Sequence, residues 1–98
     1  MFNALTVVAE LVAKQGREAE LRAELLGLVE PTRKEEGCLQ YDLHEHASEP
    51  GRFVFYENWT SDEALDRHLA TPHLQALGKR APELLAEPPR IVKYRRIA

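Results

Sequence analysis

Cys38-Leu39-Gln40-Tyr41-Asp42-Leu43-His44-Glu45-His46 and Arg52-Phe53-Val54-Phe55-Tyr56-Glu57-Asn58-Trp59 are two alternating stretches joined by Ala47-Ser48-Glu49-Pro50-Gly51. Runs rich in aromatic and β-branched residues around a connector of turn formers read as an antiparallel hairpin. Because strand side chains alternate, the hairpin sorts into two rows. Leu39, Tyr41 and Leu43 join Phe53, Phe55, Glu57 and Trp59 in one. Gln40, Asp42, His44 and His46 join Val54, Tyr56 and Asn58 in the other. The first row is apolar except for Glu57, and the second is mixed.

The same asymmetry appears upstream. Leu5 to Ala13, ending at the turn signal Lys14-Gln15-Gly16, places Leu5, Val7, Ala9, Leu11 and Ala13 on one face and Thr6, Val8, Glu10 and Val12 on the other. Between this strand and the hairpin, Leu21, Leu25, Leu28 and Thr32 follow helical spacing, predicting a helix over Arg17 to Glu36. Pro31 removes the N–H that would bond the carbonyl of Gly27, so a kink is expected, and Gly37 supplies a left-handed stop. After the hairpin, Thr60 with Glu63 reads as a capping box for a second helix carrying Ala64, Leu65, His68 and Leu69 on its inner side. Thr71-Pro72 restarts the chain into a third helix with Leu74, Leu77, Ala81 and Leu84, which Pro82 is expected to distort. Past Pro88 and Pro89, Arg90 to Ile97 reads as a last strand.

Strand, helix, strand, strand, helix pair, strand is the ferredoxin-like βαββαβ order, an α+β fold with a four-stranded antiparallel sheet in a single domain over residues 1–98. Helices in this layout cover one sheet face. The other would expose Val8, Val12, Val54, Tyr56, Val92 and Tyr94, too apolar a set to leave in water. A second copy laying its own sheet there, forming a dimeric α+β barrel, is the expected cover. The short chain points the same way, since 98 residues bury only one thin core.

The net charge of −3 is mild and the basic residues are scattered, which argues against a nucleic-acid partner. Cys38 is the single cysteine, so no internal disulfide forms and a cytoplasmic location is expected. Met1 to Ala13 alternates and contains Glu10, unlike a signal peptide or a membrane span, so no membrane partner is expected either.

Glu57 is the first candidate catalytic group, because a carboxylate between Phe55 and Trp59 on an apolar row should have its pKa raised by desolvation. His68 is the second, lying on the inner stripe of the second helix opposite the row that carries Glu57, so that a Glu–His pair is geometrically possible. Tyr41, Trp59, Phe55 and Leu65 would line an aromatic-binding pocket between sheet and helices. Each of these also fits an ordinary core position, and Glu57 and His68 fit a satisfied buried acid and a satisfied core histidine. His73 follows His68 by five residues, about 140° around a continuous helix, with Pro72 between them, so shared metal ligation is not implied. His44 and His46 share a strand face beside Asp42, but no further ligand completes a metal set there, and a polar face near solvent explains them. No metal ligand is assigned.

Glu35-Glu36-Gly37-Cys38-Leu39-Gln40-Tyr41, Glu57-Asn58-Trp59-Thr60-Ser61 and His68-Leu69-Ala70-Thr71-Pro72-His73 resemble motifs of the antibiotic biosynthesis monooxygenase family, and the likeness runs through nearly the whole chain. The resemblance implies a homodimeric, quinol-type monooxygenase that needs no cofactor: no flavin, haem or metal. A small quinol or polyphenol is deprotonated, and its anion reduces dioxygen directly. The same resemblance leaves room for isomerisation of a small oxygenated metabolite, or for a non-catalytic dimer that binds an aromatic ligand or haem, because fold alone does not fix the reaction.

Overall fold

The structure, a computed structural model, describes residues 4–98. The N-terminal reading given above therefore extends, at Met1–Asn3, outside the described residues. The elements are β1 (Leu5–Val12), α1 (Glu18–Arg33), β2 (Cys38–Glu45), β3 (Arg52–Trp59), α2 (Asp62–Leu69), α3 (Pro72–Leu84) and β4 (Arg90–Arg95). The strands form one antiparallel sheet in the order β2-β3-β1-β4, the expected ferredoxin-like arrangement. Among the described residues no helix is long and apolar enough to cross a membrane.

The apolar row of β1 is buried, while its alternate residues are half-buried. Leu5, Val7, Ala9 and Leu11 pair with Trp59, Glu57, Phe55 and Phe53, so the inner rows of two strands register side by side. Over them lie Leu21, Leu25 and Leu28 of α1, Ala64 and Leu65 of α2, and Leu77 and Leu84 of α3. Each such large side chain removed from water contributes about 1.5–3 kcal/mol, which is why three amphipathic helices stay on this face. Half-buried Arg80 of α3 joins Glu20 and Glu24 of α1 at 2.9 and 2.6 Å.

Three local expectations are corrected. Leu39 does not join the buried row: the β2–β3 pairing steps from Cys38↔Trp59 to Gln40↔Asn58, so Leu39 is the extra residue of a bulge and is 60% exposed. The cap of α2 is Ser61, whose Oγ accepts from the Ala64 N–H, while the Thr60 N–H is held at the strand end by the Gly37 carbonyl. α1 stops at Arg33, short of Glu36, and continues through Pro31. α3 also includes a proline, Pro82, within its span. Both prolines fall in a final turn, where only one hydrogen bond is lost.

Gly37 turns the chain from α1 into β2 with φ +90°, and a side chain there would meet the Ala64 Cβ at 2.6 Å and the Thr60 Oγ1 at 2.8 Å. This close approach seats the segment after α1, including Glu35, against the start of α2. Among the described residues the opposite sheet face carries no helix: Tyr56 and Tyr94 are exposed, and Val8, Val12, Val54 and Val92 are half-buried.

Candidate active site

Beneath α2 and α3 the sheet carries a cavity of about 80 Å³ whose walls include Tyr41, Phe55, Glu57, Leu65, His68, Leu74 and Leu77. The strand register places two of the polar groups together, because Glu57 is opposite Tyr41 on one side and Val7 on the other. Leu69 and Ile91, both partly exposed, also line it. The space is smaller than a 150 Å³ cavity known to admit benzene, so an aromatic ring enters only if such flexible apolar residues give way.

Glu57 is 4% exposed, and its Oε1 accepts a hydrogen bond from the Trp59 indole Nε1–H at 2.8 Å. Burial drives its pKa up to about 7, against the Trp59 hydrogen bond, and the Glu35 charge adds to the rise. The Tyr41 phenol is pushed well above its ordinary value, by burial first and by the Glu57 charge second. Thr32 sits close enough to oppose that rise, yet its buried Oγ1 lacks a partner of good hydrogen-bond geometry.

His68 is 2% exposed. Its ring lies 4.5 Å from that of Trp59 and 5.5 Å from that of Tyr41, measured between centroids, while Tyr41 stacks on Phe55 at 4.5 Å. Its Nδ1–H donates to Glu35 Oε2 at 2.9 Å. Burial lowers its pKa, and the hydrogen bond and charge of Glu35 partly offset that. With one nitrogen committed to a carboxylate, the neutral ring keeps its proton at Nδ1 and leaves Nε2 as an acceptor. The ring forms part of the cavity wall, and no protein group bonds Nε2 among the described residues. A bound hydroxyl would therefore meet a lone pair there.

A profile of the antibiotic biosynthesis monooxygenase family matches residues 4–80. The chain belongs to that family. An uncharacterised Synechocystis protein is 33% identical over 91 residues, which are 93% of this chain but 62% of that protein, so this chain spans less than two thirds of its length. A Mycobacterium tuberculosis protein, provisionally named a monooxygenase, is 36% identical over 90% of this chain and 86% of its own length. The crystal structure of a Pseudomonas aeruginosa protein superposes with a TM-score of 0.94 at 38% identity, covering 100% of this chain and 98% of that one. Membership in the antibiotic biosynthesis monooxygenase family supports a monooxygenase-like role on a small molecule.

Within this family member the structure brings Glu57, His68, Tyr41, Phe55 and Leu65 to one cavity. Trp59 is fully buried behind it, against His68 and bonded to Glu57, so it orients the site from outside the wall. Glu57 and His68 face the same space, but their hydrogen bonds go to Trp59 and Glu35 rather than to each other.

Two participants carried no assigned role in the sequence reading. Glu35, in the segment between α1 and β2, accepts from both His68 and His73, the latter through Nε2 at 2.6 Å. The break at Ala70–Thr71 ends α2 and starts α3, so the 140° separation of a continuous helix does not apply and both imidazoles reach one carboxylate oxygen. Nothing in local spacing points from Glu35 to partners 33 and 38 residues away. Their common inclusion in the motif-like stretches was the one available signal.

Proposed function

We propose that this protein is a cofactor-independent monooxygenase that oxidises a small quinol or polyphenol with dioxygen. The observation that carries the reading is the setting of His68: Nδ1 is tied to Glu35 while the ring faces an apolar cavity. A phenolic proton passes to Nε2, and the electron-rich anion left behind is the reductant for dioxygen. One oxygen atom enters the substrate and the other leaves as water, with the substrate supplying the electrons. Glu57, with a pKa of about 7, supplies a proton to the reduced oxygen and takes one back at neutral pH. Tyr41, Phe55 and Leu65 hold the ring in a dry wall.

In this reading the working unit is a homodimer in which the uncovered row of Val8, Val12, Val54, Tyr56, Val92 and Tyr94 packs against its copy. Oxygen uptake by metal-free, flavin-free protein across a panel of hydroquinones tests the chemistry. Turnover no faster than autoxidation, or equal turnover in His68→Ala, would sink it.

A second reading is favoured by the same pair of groups. Two proton-handling side chains on one cavity suit a tautomerisation or isomerisation equally well, with His68 removing a proton and Glu57 returning one. Full activity under anaerobic conditions selects this reading over oxygenation.

A further inference from the structure

Glu35, His68 and His73 present three ligand atoms that all lie within 4.8 Å of one another, one from each of three separate segments. The geometry points to a binding site for a first-row divalent cation of the zinc type, whose occupancy turns the cavity-facing nitrogen of His68 from a proton acceptor into a donor.

Two imidazoles and one carboxylate are the ligands that zinc and its neighbours take, whereas magnesium and calcium prefer all-oxygen sets. The three atoms now hold one another by hydrogen bonds of 2.6 and 2.9 Å through Glu35 Oε2. A cation at about 2.0–2.2 Å from each would replace those bonds and set the ligand atoms about 3.3 Å apart: the two oxygen–nitrogen distances open by about half an ångström, while the two nitrogens, now within 4.8 Å of each other, settle at the same spacing. The side chains that must move are the ones outside or at the ends of helices: Glu35 lies in the turn between α1 and β2, and His73 is 22% exposed at the start of α3. His73 also lines an open surface pocket with Gly27, Leu28, Glu24 and Arg80, which offers the ion a way in from solvent.

The consequence for His68 follows from counting protons. A neutral imidazole carries one N–H, and here it is at Nδ1, donating to Glu35. A cation bound at Nδ1 releases that proton to solvent, and the neutral ring takes its single proton at Nε2 instead, the nitrogen that no protein group bonds among the described residues. The cation would therefore arrest proton abstraction without entering the cavity. Binding is independent of the proposed reaction, whereas the arrest rests on it.

The experiment titrates metal-free protein with Zn²⁺ by calorimetry and with Co²⁺ by visible absorption. One ion per chain is expected, with affinity reduced at least about tenfold in His73→Ala and in Glu35→Gln. The double variant His44→Ala, His46→Ala should bind as the unaltered chain does. No stoichiometric binding, unchanged affinity in His73→Ala, or loss in the His44/His46 double variant overturns the site. Circular dichroism checks that the variants keep the fold. ¹⁵N-edited NMR of the His68 ring should show its proton at Nε2 with Zn²⁺ bound and at Nδ1 without, and a proton that stays at Nδ1 overturns the switch. Absence of oxygen uptake in the metal-free protein counts against the proposed reaction alone, because the titration and the ring spectra are read without turnover.

Discussion

The two faces of the sheet are built from the same strands and ask opposite things of them. On the helix-covered face every inner residue of β1 and β3 is buried, and the one ionisable group among them, Glu57, has its pKa raised to about 7 by desolvation. On the uncovered face polar groups satisfy one another in a line across three strands: Thr6 Oγ1 donates to Asn58 Oδ1, Asn58 Nδ2 to Gln40 Oε1, and Gln40 Nε2 to Asp42 Oδ2. Arg33 of α1 closes the line on Asp42 at 3.1 Å. Beside it lie the apolar Val8, Val54, Tyr56, Val92 and Tyr94. A polar group on the first face is held in an unfavourable ionisation state that chemistry can use, and one on the second is matched to a neighbour. The first face makes a site, the second suits an interface.

The most severe way to break this contrast is His68→Ala, which removes the base from the covered face. Oxygen uptake with a responsive hydroquinone should fall by at least about a hundredfold, the scale of a positioned general base. A change under threefold would reduce His68 to packing.

Glu57→Gln sharpens the contrast through stability. The folded-state pKa of Glu57, about 7, is above the ordinary 4.5, so the folded protein holds its proton more tightly than the unfolded chain does. Stability from this group is therefore fully present below pH 4.5 and lost as pH rises toward 7, a loss of about 3 kcal/mol if the whole shift is realised. Urea unfolding of Glu57→Gln should match the parent at low pH and exceed it by about 1–3 kcal/mol at pH 8. Parallel curves at both pH values would mean that Glu57 is not desolvated.

On the uncovered face Tyr56→Lys should weaken self-association at least about tenfold, as loss of a central aromatic contact does. Sedimentation equilibrium reads this directly. Thermal unfolding of the dilute monomer should hardly move, since Tyr56 is already 40% exposed. An unchanged association constant would remove the proposed interface.

The smallest effect is expected from Asn58→Ala. It leaves Thr6 and Gln40 without their shared partner on a part-exposed face, at about 1 kcal/mol in urea unfolding. A cost above 3 kcal/mol would place the polar line in the core's class.

How much of this was readable in advance depended on whether neighbours in sequence carried the signal. The alternation of Leu5 to Val12 and the stripe Leu21, Leu25, Leu28, Thr32 were legible because each position's burial follows from period alone. Leu39 was misplaced because one inserted residue reverses the alternation, and no composition marks a bulge there. Thr60 and Ser61 are both good caps, and the choice between them was made by the Gly37 carbonyl, a contact across the fold. The site divides the same way. Glu57 stood out as one acid in an apolar row, and His68 as one imidazole on an apolar stripe. Their actual partners were hidden: the Trp59 indole N–H is two residues from Glu57 on the same row, and Glu35 reaches His68 only after α1, β2 and α2 have packed.

The bond from Trp59 to Glu57 has an optical consequence. Trp59 is the only tryptophan in the chain, so intrinsic emission at its wavelength comes from one indole. That indole donates its N–H to Glu57 and lies 4.5 Å from the His68 ring. Ionisation of the carboxyl, a change in the imidazole, or arrival of a ligand in the cavity each alters the field on one fluorophore. The protein thus contains its own unlabelled reporter, and a pH titration or ligand screen can be followed in its emission before any substrate is known.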